Sequence, residues 1–541
     1  MTRSAFERIP MSPAAQKDYL EREVAAIDEM LTRANEAGAG YSRKRLEKTK
    51  LRVEERIKTK LDSVKDPGLT FEQLGIDYIF ADEAHAYKNL RTSSNIPGMA
   101  VDGSMRASDL HMKIEYLRAR GSRVATLATA TPIANSMGEA YTMQRYLRPD
   151  LLEQSGISDF DQWAATFGKT TTAIEVAADG SGLRMQTRFA SFRNVPELLQ
   201  QWQVSADIKT AEDLQLPVPA LQPRQEDGKR VPEVVVVQPS ATLSMYVREL
   251  AARADRVRQR HVDPSEDNLL KISSDGRAAG LDVRLVREET DALQKLDVAA
   301  ERIAAIYHAH RMAVFPGSDG KPHPRPGALQ LVFCDLGTPK DDAWSVYGAL
   351  RASLVAKGLP AQAVRFVHEA RDDREKGELF AACRDGRVAV LLGSTEKMGV
   401  GTNVQLRAVA LHHMDCPWRP ADIAQREGRI LRQGNANAEV QILRYVTEGS
   451  FDGYLWQTVS RKAQFIAQVM RGRLDVREIE DIGDAALSYQ EVKALAAGNP
   501  LLLDHARSQA EVTRFERLQR AHANKQSTLR WTLQRSDAAA A

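Results

Sequence analysis

From residue 328 onward the chain switches repeatedly between two hydrophobic periods. ALQLVFCD (328–335), VRFVHE (364–369), VAVLLGS (388–394), AVALHHMD (408–415) and VQILRYVT (440–447) are short apolar runs rich in branched residues, and each reads as a strand. Between them, AWSVYGALRASLVAKG (343–358), REKGELFAACRDG (374–386) and PADIAQREGRILRQG (420–434) place apolar residues at helical spacing. Such alternation predicts an α/β fold with a parallel sheet covered by helices on both faces. The first half is less regular. DYIFADEAH (77–85) and RVATLATATPIAN (123–135) each read as a short strand running into a loop, and MGEAYTMQRYLRP (137–149) as an amphipathic helix. Residues 150–230 have mixed periodicity. VPEVVVVQPS (231–240) holds a strand and ATLSMYVRELAARADRVRQR (241–260) a helix, while HVDPSEDN (261–268) and FPGSDGKPHPRPG (315–327) are loops by their prolines and glycines. Residues 13–63 and 501–535 carry charged helical patterns, the latter beyond the Gly498-Asn499-Pro500 break.

With 541 residues the chain exceeds one ordinary core, so two or three domains are expected. Charged residues make up 27% and the net charge is +3, too balanced for whole-chain charge to argue nucleic-acid binding. A local basic run, Arg43 to Lys60, is either a solvated helix face or a phosphate-backbone contact. Cys334, Cys383 and Cys416 lie far apart and form no CxxC pair, which fits a reducing, cytoplasmic setting. No apolar run approaches the length of a membrane span, and MTRSAFERIP lacks the apolar core of a signal peptide.

Four stretches carry candidate chemistry. Asp82 and Glu83 end an apolar run: one carboxylate suits a magnesium ion, the other an attacking water, the division of labour phosphoryl transfer needs. Ala128-Thr129-Ala130-Thr131-Pro132 offers small hydroxyls after a strand, or an ordinary turn. GSTEKMGVGTN (393–403) combines donors at Ser394 and Thr395 with Gly399 and Gly401, which let backbone approach a ligand closely. QREGRILRQG (425–434) places Arg429 and Arg432 three apart, on one face of the predicted helix, with Gly428 beside them. His412, His413 and Cys416 lack a fourth ligand nearby, and a strand-end position accounts for them without a metal.

The order DEAH, TATP, STxxxGxGxN, QxxGRxxR is similar to that of the superfamily-two helicases. DEAHAYKN, ATATPIANSMGEAYTMQRYLRP and HHMDCPWRP narrow the likeness to the Swi/Snf-like double-stranded-DNA translocases, over residues 77–149 and about 328–470. TRSAFERIP, SSDGRAAGLDVRLV (273–286) and SYQEVKALAAGNPL (488–501) resemble a subgroup in large phage and plasmid proteins, where a helicase module follows an adenine-specific DNA methylase. The resemblance implies two RecA-like lobes, the first incomplete, with parallel sheets flanked by helices, helical insertions and a C-terminal helical arm. It divides the chain into a partial first lobe (1–225), a linker and helical region (226–327), a second lobe (328–475) and a C-terminal extension (476–541). It implies ATP and Mg²⁺ as cofactors and duplex DNA as partner. Asp82 would hold magnesium through water and Glu83 act on the water. His85, Thr129 and Thr131 would couple hydrolysis to movement. Ser394, Thr395, Gly399, Gly401 and Asn403 would serve the nucleotide and DNA cleft with Gln425 and Gly428, and Arg429 and Arg432 would be arginine fingers. Ala130, Met398 and Arg419 depart from the family's usual glycine, glycine and asparagine.

A glycine-rich phosphate loop, GxxxxGK[ST] after a strand, is the one part of such a site that the sequence does not contain. Gly168-Lys169-Thr170 has the right ending, but Trp163 stands in the place of the first glycine, no strand is predicted before it, and it follows DEAH. The expectation is a module truncated at its N-terminus and inactive alone. The missing N-terminal part or an adenine DNA methylase are its expected partners. The rival reading is a non-hydrolysing DNA-binding or assembly module; a strand-separating helicase is a third.

Overall fold

The computed structural model describes residues 3–36, 47, 50–51, 55, 68–94, 101, 103–121, 123–133, 138–176, 183–209, 211–224, 227–259, 261–263, 265–287, 294–317, 319–340, 344–399, 403–470 and 478–480. Gly401, the helical pattern over 501–535 and every basic residue of the Arg43–Lys60 run except Lys50 lie outside these residues.

Twelve strands are described: β1 (Ile79–Ala81), β2 (Ala125–Leu127), β3 (Gly168–Val176), β4 (Leu183–Arg193), β5 (Ala220–Leu221), β6 (Glu233–Val237), β7 (Leu329–Phe333), β8 (Val364–Phe366), β9 (Val390–Gly393), β10 (Ala408–His413), β11 (Glu439–Thr447) and β12 (Glu478–Glu480). The largest sheet has the order β5-β11-β10-β7-β9-β8, with β6 also pairing with β11, and every pairing in it is parallel. A parallel sheet needs cover on both faces, and β7, β9 and β10 are buried at every position. Alternation along β7 divides the cores. Val332 packs with Tyr347, Leu350 and Ile303 from helices Val346–Ala356 and Gln294–His310. Leu329, Leu331 and Phe333 pack with Leu379 and Cys383 of helix Asp373–Arg384 on the opposite face. The chain is therefore α/β, with a parallel sheet flanked by helices as in a RecA-like lobe. Residues between the two expected lobes contribute to this sheet: β6 extends it, and helix Gln294–His310 covers it.

The first lobe is smaller. β1 and β2 form a parallel pair, Ile79 opposite Ala125, with helix Met105–Arg118 in the crossover. One face rests on a core of Phe71, Leu110, Ile114 and Tyr146. A neighbouring aromatic core gathers Tyr141, Phe160, Trp163, Phe167 and Trp202. The stretch around Gly168-Lys169-Thr170 lies at a junction of the opposite sense to a phosphate loop: helix Phe160–Phe167 precedes it and the antiparallel strand β3, paired with β4, follows.

One predicted helix is shorter than its sequence pattern. Residues 420–434 were expected as a single helix; it ends at Glu427. Beyond it the amides of Arg429 and Ile430 bond three residues back, to Arg426 and Glu427, and that of Arg432 only two back, to Ile430. Two competing partners account for the stop. Ile430 is buried in the sheet core, and Asn435 Nδ2 donates to the carbonyls of Ile430 and Ala408, tying the turn to β10. Arg429 and Arg432 thus do not share a helical face.

Candidate functional site

A cleft of about 1910 Å³ separates the two sheets and is lined from both sides. Its first wall begins where β1 ends. The Ala81 carbonyl accepts from Ala128 N and Ala84 N donates to the Ala128 carbonyl, so the DEAH and TATP turns are stitched together. Asp82 Oδ1 accepts from Glu83 N at 2.8 Å. Glu83 has φ 53° and ψ 45°, left-handed backbone that a non-glycine residue adopts at a cost of about 1–3 kcal/mol. That turn lets a short 3₁₀ helix, Ala84–Tyr87, start immediately, and it brings Glu83 Oε2 3.1 Å from His85 Nδ1. Thr131 N donates to Thr129 Oγ1, closing the TATP turn on itself. Lys88 Nζ bonds Glu139 at 3.0 Å deep in this wall; burial lowers the lysine's pKa and the carboxylate partly restores it.

The second wall is built from the C-terminal ends of β7, β9 and β10, the edge of an open parallel sheet where ligands gather. Its hub is Arg426, fully buried. The guanidinium donates to Asp335 Oδ2 at 2.8 Å, Asp415 Oδ1 at 3.0 Å, the Asp415 carbonyl at 2.9 Å and Thr395 Oγ1 at 2.8 Å. Asp335 also accepts from Thr395 N at 2.6 Å, and Asp415 accepts from the amides of Asp335 and Leu336. Burial alone would raise the Asp415 pKa; the charges of Arg426 and Arg277 overcome it and hold it below the ordinary range. Arg277, from helix Leu269–Leu281, donates to the Cys416 carbonyl and lies over Trp418. Ser394 caps helix Thr395–Met398, accepting from Lys397 N. A Cβ on Gly399 would collide with the Thr395 carbonyl and come within 2.9 Å of Gln425 Oε1, so the close approach expected there is to the protein's own backbone and to Gln425.

The cleft therefore brings together Asp82, Glu83, His85 and Thr131 on one side with Ser394, Thr395, Gln425, Gly428 and Arg429 on the other. Arg429 crosses the gap electrostatically. Burial and the Arg432 charge lower its pKa, and Glu83 opposes them. Thr129, Gly399, Asn403 and Arg432 do not line the cleft: Arg432 is exposed, and the Asn403 carbonyl accepts from Arg384.

Sequence reading missed the Arg426 hub, because an arginine between Gln425 and Glu427 reads as polar helix surface. Asp335 and Asp415, each the last residue of a predicted strand segment, were the available signal. His412 sits between Tyr445 Oη and Gln330 Oε1, both at 3.0 Å, and His413 is 3.2 Å from Glu427. No group of three metal-ligating side chains is found among the described residues.

Residues 1–210 match the family model of a probable helicase domain, and residues 349–434 that of the helicase conserved C-terminal domain. These matches support a helicase family. A similar protein is Defense against restriction protein B of Escherichia phage P1, 25% identical over 587 residues. The alignment takes in 85% of this chain and 25% of that relative, so the chain spans about a quarter of the relative's length. On the helicase-like chain, the first match contains Asp82, Glu83 and the TATP turn, and the second contains Thr395 and the Arg426 hub. None of its described helices is long and apolar enough to cross a membrane.

Proposed function

We propose that this chain is the motor module of an ATP-driven translocase on duplex DNA, of the Swi/Snf-like kind. One observation carries the reading: a single cleft sets Asp82 and Glu83 against Thr395, Gln425 and Arg429, with the Glu83 charge acting on Arg429. Asp82 offers a hard oxygen donor of the type magnesium takes, by way of bound water. Magnesium, when bound, neutralises charge that develops on phosphate oxygens. Glu83 orients and deprotonates the attacking water. Arg429 supplies positive charge from the second lobe, and Arg432 adds to the field at longer range. Ser394, Thr395 and Gln425 face the nucleotide, and the Arg426 hub holds Thr395 in place. His85, whose Nδ1 lies 3.1 Å from Glu83 Oε2, and the Thr129–Thr131 turn couple the two walls.

The fit is half complete. The carboxylates and arginines suit a magnesium–triphosphate, but the sequence holds no GxxxxGK[ST] loop to cradle the phosphates. The 541-residue polypeptide by itself is therefore expected to bind ATP weakly and not to hydrolyse it. The same module joined to a phosphate loop hydrolyses ATP when duplex DNA is added, and Glu83→Gln abolishes that turnover. Absence of DNA-stimulated turnover in the completed protein would sink the proposal; turnover by the 541 residues alone, lost in Glu83→Gln, would show that the loop is dispensable. DNA affinity is expected to fall steeply with salt, since backbone contacts dominate. The missing loop also favours a second reading, a DNA-binding or assembly module that does not hydrolyse ATP, working beside an adenine DNA methylase. Salt-sensitive duplex binding with no turnover in the completed protein would select it.

A further inference from the structure

Among the described residues the backbone passes between the lobes twice. It first leaves the aromatic core of the first lobe after Ile208, which packs against that core, and joins the second-lobe sheet at β5, paired with β11. This connection is not packed down: Leu214, Leu216 and Val218 are 50%, 44% and 41% exposed, and Gln215 takes a left-handed φ of 46°. The chain returns after helix Phe451–Met470. The start of that helix is fastened to the second lobe: Asp452 Oδ2 lies 2.5 Å from Lys295 Nζ, and Leu455, Trp456 and Val459 cluster with Cys416. β12 then lies antiparallel to β4 in the first lobe, with Glu478 opposite Arg193, Ile479 opposite Phe192 and Glu480 opposite Ser191. Those positions form the root of the β3–β4 hairpin, where Gly168 of β3 is also opposite Phe192. Both sides of the root are anchored. Phe167 and Val195, which flank the hairpin, sit in the aromatic core, and Asn194 Nδ2 donates to the Thr166 carbonyl at 2.9 Å.

We propose that β12 is a releasable strap that governs how the two lobes move against each other. Two bodies tied at one point turn about it in any direction; tied at two, they turn only about the line through both. With β12 docked on the hairpin root, the lobes share one hinge axis. Asp82 and Glu83 then stay in register with Thr395, Gln425 and Arg429 as the cleft opens and closes. With β12 undocked, the 209–219 connection carries the motion alone, and the lobes twist as well as hinge. The ladder suits release. Three paired residues make few hydrogen bonds, each of small net worth, so the strand can peel away while both cores stay folded. It also suits recapture. The chain from Met470 to Glu478 spans at most about 29 Å, so an undocked strand stays near its partner. The strap acts on lobe motion whatever the cleft binds, so it does not rest on the ATP reading.

The test uses the 541-residue polypeptide without nucleotide or DNA. Proline removes an amide from the ladder, and successive amides of a strand point to opposite sides. Ile479→Pro and the double variant Glu478→Pro/Glu480→Pro therefore cover both orientations of β12. Two quantities are read. Hydrogen exchange follows the amides of residues 191–193. Spin labels on Gln154→Cys and Ala356→Cys, both exposed and one on each lobe, report the interlobe distance distribution; the native Cys334, Cys383 and Cys416 are buried. In at least one proline variant the 191–193 amides are expected to exchange at least about tenfold faster and the distance distribution to broaden at least about twofold, with thermal unfolding of the cores unchanged. Unchanged exchange in both variants would overturn the docking of β12. Faster exchange with an unchanged distance distribution would overturn its role as a strap, as would a distribution in the unsubstituted chain already as broad as in the variants.

Discussion

The two sheets solve the same problem to different degrees. In the second lobe, β7, β9 and β10 are buried at every residue, with helices on both faces and charged strand ends locked by Arg426. In the first lobe, β1 and β2 have one covered face and leave Phe80 in water. The second lobe can hold its half of the cleft through its own packing. The first holds Asp82 and Glu83 on a sheet whose other side leaves Phe80 81% exposed.

Substitutions in the second lobe should break that contrast most forcefully. Arg426→Ala leaves Asp335 and Asp415 facing each other without their common cation, and is expected to cost about 3–5 kcal/mol in urea unfolding. Phe333→Ala, at the fully buried end of β7, is expected to cost a similar ~3–5 kcal/mol through the cavity it opens. A stability loss under 1 kcal/mol for either would mean that the second lobe is not the rigid half.

Acid is the next largest lever. Burial holds His413 near a pKa of about 4 and His412 near about 3, against an ordinary 6.5. Below pH 6.5 the unfolded chain takes up protons that the folded chain refuses. Stability is thus fully present above pH 6.5 and drains as pH falls toward 4, by about 3 kcal/mol for His413 alone. His111 in the first lobe is lowered by burial and by the charges of Arg145, Arg118 and Arg22, so acid erodes both lobes. Unfolding at pH 7.5 and 5.0 measures the slope, and His413→Gln should flatten it. A slope of opposite sign would contradict the burial of these rings.

The smallest effect is the most telling one. Phe80→Ser in the isolated polypeptide should shift stability by no more than about 0.5 kcal/mol, because the ring touches mostly water. The same class of change at Phe333 costs roughly tenfold more. A large loss at Phe80 would show that its face is already covered.

Much of the second lobe was legible because its apolar runs are bounded by turn residues and are too short for helices. The strands expected at 328–335, 388–394 and 408–415 appear as Leu329–Phe333, Val390–Gly393 and Ala408–His413. Arg426 was not legible, since nothing in QREGRILRQG says which arginine turns inward; that is decided by Asp335 and Asp415, 91 and 11 residues away. Helix Leu269–Leu281 was also obscured. Its Gly276 and Gly280 look like helix breakers, yet a Cβ at Gly276 would lie 2.7 Å from the Phe451 ring, so the glycine permits a close helix crossing that local propensity does not reveal. In the first lobe DYIFADEAH reads correctly as strand and turn, but the exposure of Phe80 depends on what lies across from it.

The long reach of β11 has a consequence for synthesis. Gln222, beside β5, bonds Gln441 across 219 residues, and Gln238, at the end of β6, bonds Glu448 across 210. Both early strands must leave the ribosome long before the strand that joins them exists. At ~5–20 residues per second, that interval is about 10–40 seconds. During it the Val-rich run of β6 has no partner on β11, and its sequestration depends on nascent-chain contacts or on a chaperone. Slowing translation between residues 240 and 440 should lengthen that exposure and raise the aggregated fraction, without altering a single contact of the finished fold.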